Sequence, residues 1–175
     1  IYLCAEAGAN AAKFQHFTAS TIVSDFQFKR IKIREQPINK EKSIIFVSLG
    51  GSDPYDIGLI VLEVLSDFKN ITINFATTSS NKSIGKLQGF SKRYQNINIC
   101  VDCNIAELMN DSDYAIITPS VIAHEVIALQ VPFVSIMTAD NQRLMHAYLY
   151  ENNYDTLKKN EIRKLKSRIK KYNSV

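Results

Sequence analysis

Five runs of almost uninterrupted apolar residues, at 44–49, 71–77, 97–101, 114–118 and 131–137, are each followed by a segment with the apolar spacing of a helix. Few folds accept that alternation. Strands separated by helices join through right-handed crossovers into a parallel sheet. Runs with hardly a polar residue are what such a sheet needs when helices cover both of its faces. The spacing predicts helices over 55–68, 84–94, 105–109, 120–129 and 141–151, and therefore an α/β, Rossmann-like domain over 44–153. Residues 1–43 stand outside the pattern: a short strand-like run at 11–17, then a strongly charged stretch that reads as a linker over 31–43.

Charge is unevenly placed. The net +4 conceals a segment, 158–171, with eight lysines and arginines against one glutamate, so the rest of the chain carries −3. Ile162, Leu165 and Ile169 recur there at helical spacing, and residues 154–175 read as a basic terminal helix that packs on the domain. No aromatic interleaving or glycine-rich RNA motif points to nucleic acid. No apolar stretch of about 18 residues implies membrane insertion. Three cysteines fit a reducing compartment better than a disulfide framework, which makes the cytoplasm the expected location.

Polar loops at strand ends carry the candidate chemistry. In Leu49-Gly-Gly-Ser-Asp-Pro54 a buried run enters a paired-glycine turn before a helix. Gly50, Gly51 and Ser52 can bring bare backbone N–H groups to an anion, and the helix start adds partial positive charge. The same glycines also serve simply to turn the chain. Asp53 either orients the turn or caps a helix starting at Pro54, a favoured first position. In the second loop, Thr118-Pro-Ser120, Ser120 is an N-cap candidate whose helix would aim free N–H groups at a diphosphate. Glu125 lies a turn and a half further on, where a carboxylate can accept both hydroxyls of a ribose. A third polar loop, Thr138 to Gln142, follows the last strand. In open α/β sheets ligands sit outside these strand ends, so the three loops are expected to converge.

On this ordered set the chain resembles a family. Leu49-Gly-Gly-Ser-Asp53, Phe75-Ala-Thr-Thr-Ser-Ser80, Asn104-Ile-Ala-Glu-Leu-Met109, residues 117–125 and Asn141-Gln142 look like the C-terminal domain of the UDP-sugar hydrolases of pseudaminic acid biosynthesis. Those enzymes are relatives of the two-domain GT-B glycosyltransferases. The resemblance implies the C-terminal half of a GT-B-type architecture that holds a UDP-sugar without metal or other cofactor. It puts Gly50, Gly51 and Ser52 at the phosphates and the Ile105 backbone at uracil. It gives the diphosphate to the Ser120 and Val121 amides, the ribose to Glu125, and the sugar to Asn141 and Gln142. In the family an N-terminal domain brings the glycine-rich loop and the histidine suited to general-base work. Nothing before residue 44 builds that domain, and His16 has different surroundings, so this chain reads as an incomplete enzyme with no assignable catalytic residue. Glu6 to Ile22, with its Lys13-Phe-Gln15 run, is similar instead to the early βα portion of sialic and pseudaminic acid synthases. Residues 1–30 therefore read as a synthase-like segment, and other enzymes of the pathway are candidate partners.

Other readings stay open: the donor half of a glycosyltransferase, a binding module without catalysis, or a synthase-related fusion fragment. Cys100-Val-Asp-Cys103 has CxxC spacing but no second pair, which favours structural cysteines. His124 and His146 fall on helices and read as solvent or packing residues.

Overall fold

The computed structural model describes residues 43–173; the synthase-like segment with His16 and residues 31–42 of the linker lie outside the described residues, and Ser43, read as the end of the linker, opens the first strand. Six strands form one parallel sheet: β1 (Ser43–Ser48), β2 (Ile71–Thr77), β3 (Ile97–Val101), β4 (Tyr114–Ile117), β5 (Phe133–Met137) and β6 (Asp155–Lys158). Their order is β3-β2-β1-β4-β5-β6. Every pairing is parallel. This is the doubly wound order of the Rossmann fold, which changes direction between β1 and β4.

Alternation along each strand sorts the core into two layers. Ile45, Val47, Ile73, Phe75, Ile116, Val134 and Ile136 face helices α1 (Ile57–Leu65) and α2 (Ile84–Arg93). Phe46, Ala76, Ala115, Ile117 and Phe133 face α3 (Ile105–Asn110), α4 (Val121–Ala128) and α5 (Arg143–Glu151). The apolar runs bounded by Asn70, Asn96 and Asp102 become β2 and β3 with the expected limits.

The C-terminal segment differs from its sequence reading. Residues 154–175 are not one helix: β6 completes the sheet, a 3-10 segment (Lys159–Lys164) follows, and α6 (Leu165–Asn173) comes last. Asp155-Thr-Leu-Lys158 buries only Leu157, as suits an edge strand, so its hydrophobic signal is weak. The spacing of Ile162, Leu165 and Ile169 is read correctly: all three are buried, in the same layer as Leu62 and Leu65. Among the described residues no helix is long and apolar enough to cross a membrane.

Candidate functional site

The loops that leave β1 and β4 flank the reversal in strand order. The two strands pair up to Ser48 opposite Ile117, so Gly50–Gly51 and Thr118–Ser120 emerge side by side at the carboxyl edge. In this topology such a crevice is where ligands bind.

The glycine turn is held from below. The Gly51 carbonyl accepts from Thr77 Oγ1 at 3.1 Å, Thr78 Oγ1 at 3.0 Å and Thr78 N–H at 3.3 Å. Asn81 Nδ2 in turn donates to Thr77 Oγ1 at 2.9 Å. The hydroxyl run at the end of β2, to which the sequence reading gave no role, is thus the clamp on the turn. The amides of Gly50, Gly51 and Ser52 donate to no partner among the described residues. Gly50 has φ +89° with nothing within 4 Å of a Cβ built on it, so Gly50→Ala meets backbone strain alone. We expect it to lower stability by about 1–2 kcal/mol, read as a fall of about 3–6 °C in Tm; an unchanged Tm would show that the turn relaxes.

Helix α1 starts later than the sequence suggests. Pro54 belongs to the turn, and Asp56, at φ +54°, is the N-cap residue before Ile57. Asp53 does cap the helix, but from the turn: its buried carboxylate accepts from Ile57 N–H at 3.0 Å and Gly58 N–H at 2.6 Å. A carboxylate therefore already occupies the positive end of α1. What the turn has to offer an anion is its own free amides, not the helix start behind it.

At α4 the situation is reversed. Ser120 is the N-cap residue, yet its side chain caps nothing. Its Oγ lies 3.1 Å from Thr118 Oγ1, and its own N–H donates to the Thr118 carbonyl at 2.9 Å, so the Ser120 amide expected at a diphosphate is already committed to the turn. The amides of Val121 and Ile122 have no acceptor among the described residues, and no acid sits in the first turn. Glu125, half-buried on the same helix, has no hydrogen-bond partner there either. Burial raises its carboxyl above the ordinary range, against a smaller opposing effect of His124.

Two further loops complete the edge. Asn104 caps α3 without a side-chain bond, leaving the Ile105 amide without a partner while the Ile105 side chain packs in the second layer. After β5, a 3-10 turn (Asp140–Gln142) brings Gln142 Oε1 back onto Thr138 N–H at 2.8 Å and Ala139 N–H at 3.3 Å. Gln142 thereby braces its own loop, and Asn141 is left exposed.

Cys100 and Cys103 are free thiols, both raised by burial; Cys103 Sγ donates to the Cys100 carbonyl at 3.6 Å. His124 is exposed, and His146 Nδ1 is buried without a partner, so burial lowers its pKa. Among the described residues no group of three or more His, Cys, Asp or Glu could hold a metal ion.

Fold and site together define an α/β Rossmann-like domain with an open crevice lined by free amides at its topological switch point. No family model matches the chain. It is 36% identical over 124 residues to UDP-2,4-diacetamido-2,4,6-trideoxy-β-L-altropyranose hydrolase of Campylobacter jejuni, a match covering 70% of this chain and 44% of that enzyme. It is 34% identical over 110 residues to an uncharacterized protein of Methanocaldococcus jannaschii, covering 60% of this chain and 23% of that protein. The chain thus spans less than half the length of the curated relatives it matches. Among solved structures, spinosyn rhamnosyltransferase shares the fold at a TM-score of 0.60 and 9% identity, covering 79% of this chain and 39% of its own. MurG of Acinetobacter baumannii does so at 0.57 and 14%, covering 91% and 49%.

Proposed function

We propose that the chain is the nucleotide-sugar-binding half of a UDP-sugar hydrolase of GT-B type, acting in pseudaminic or related nonulosonic acid biosynthesis. The 36% identity to a hydrolase of a UDP-linked diacetamido sugar carries this reading. The crevice supports it, because free amides on two neighbouring loops suit a diphosphate. The diphosphate lies on the amides of Val121 and Ile122 and on those of Gly50, Gly51 and Ser52. Uracil meets the Ile105 backbone, the ribose diol donates to Glu125, and Asn141, on the loop braced by Gln142, faces the sugar. Hydrolysis by the whole enzyme places water on the anomeric carbon and releases UDP and the free sugar. A glycosyltransferase donor half is the second reading, favoured by the fold shared with spinosyn rhamnosyltransferase and MurG. Sugar release assayed with and without acceptor separates the two.

Glu125 supplies the direct test. Glu125→Ala removes a charged acceptor of two hydroxyls and should weaken UDP binding by about 1.5–3 kcal/mol, roughly 10- to 150-fold. Since burial raises this carboxyl, affinity should begin to fall on acidification above the ordinary 4.5. The sign for stability is opposite: an acid whose folded pKa is raised makes the fold more stable as pH drops through that value. Glu125→Gln should therefore bind UDP more weakly while melting no lower than the native chain. Calorimetry with UDP, with UMP and ADP as controls, reads the first effect; unchanged affinity in Glu125→Ala would remove the ribose assignment.

A further inference from the structure

We infer that Lys159, steadied by Tyr55, is the cation that this site presents to the ligand's diphosphate; the inference rests on the nucleotide-binding reading above. The loops around the crevice are poor in positive charge. Residues 49–53, 118–122 and 138–142 contain Asp53 and Asp140 but no lysine or arginine, and the base next to them in sequence is Arg143, exposed at the start of α5. A diphosphate held there by amides alone would lie among carboxylates. Lys159 comes from elsewhere in the sequence. Met137 pairs with Lys158 across β5 and β6, so Lys159 leaves the sheet beside Thr138, at the start of the third ligand loop. From there its ammonium reaches back to the first loop and sits 5.1 Å from the centre of the Tyr55 ring.

Tyr55 follows the glycine turn by four residues and is 59% exposed, which leaves its ring face open to a cation. The pair thus joins the segment that follows β6 to the loop that follows β1. Three other bases of the segment are paired, Lys164 with Glu161 at 2.7 Å, Lys166 with Asp67 at 2.6 Å and Arg168 with Asp155 at 3.2 Å, and among the described residues only Lys159 of this segment sits over a ring near the glycine turn. Lys159 has no carboxylate partner among the described residues. An aromatic face holds a cation in place without neutralising it. That leaves the full charge available to an anion entering between the loops.

The test compares affinities of the whole chain and its variants for UDP, UMP and inorganic pyrophosphate. Lys159→Ala should weaken UDP and pyrophosphate at least fivefold and UMP less than twofold, with Tm unchanged. Tyr55→Phe should keep the affinity, and Tyr55→Ala should lose part of it. Lys170→Ala removes the same charge from exposed α6 and should have no such effect. Equal UDP affinity in Lys159→Ala and the native chain would overturn the assignment and leave the nucleotide reading intact. Equal losses in Lys159→Ala and Lys170→Ala would overturn it in favour of a diffuse field. A native chain that binds neither UDP nor pyrophosphate would overturn the nucleotide reading, and this inference with it.

Discussion

We expect Leu165→Ala to destabilise the domain by about 2–5 kcal/mol, lowering Tm by about 6–15 °C. Leu165 is fully buried where the basic segment meets α1, in the layer that also contains Leu62, Leu65, Ile162 and Ile169. Truncation there loses the transfer free energy of the side chain and leaves a cavity between packed helices. Lys166→Ala is the natural comparison. Its ion pair with Asp67 is short, 2.6 Å, but both partners are exposed, and water screens such pairs so that they add little to stability. Urea unfolding of the two variants would show whether the segment belongs to the core. If Leu165→Ala unfolded at the native midpoint, 158–171 would be a solvated appendage, available as a whole to an anionic partner.

What the sequence revealed and what it hid have the same origin. Apolar runs announce themselves even at an edge of the sheet: β2 and β3 have the limits their runs suggest, although β3 buries only Ile97. The other edge strand, Asp155-Thr-Leu-Lys158, has a single apolar residue and so reads as part of a helix. Its basic neighbours then draw attention to charge when the informative residues are Ile162, Leu165 and Ile169. The strand-end loops were legible too, because glycine pairs and hydroxyl runs are conspicuous between apolar segments. Partnership within those loops was not. Whether the Asp53 carboxylate points to solvent, to a ligand or to the helix behind it depends on backbone angles that one local pattern does not fix. Asp53 and Asp56 both take positive φ, at 35° and 54°, and that delays the helix by three residues beyond Pro54. The Thr77–Thr78 clamp on Gly51 and the reach of Lys159 to Tyr55 join residues 26 and 104 positions apart, and only the folded sheet brings them together.

Asp53→Ala should be the most revealing change in the glycine turn. It strands the amides of Ile57 and Gly58 in a buried place and removes the cap of α1, with an expected loss of about 2–4 kcal/mol. Asp53→Asn keeps one acceptor and should lose less. Acid should not mimic the lesion. Burial raises the Asp53 carboxyl above 3.8, outweighing the two amides that lower it. Its contribution to stability therefore rises as pH falls from the folded value toward 3.8, and the deficit of Asp53→Asn should hold or widen on acidification. Asp56, held below the ordinary range by Ser83 and Lys86, behaves the other way: its contribution is lost as pH falls through its folded value. Ligand binding gives the decisive comparison. If the amides of the turn and of α4 hold the diphosphate, loosening the turn in Asp53→Ala should weaken UDP. If UDP instead bound more tightly, the carboxylate would be a competitor that the variant had removed, and the anion seat would be the start of α1.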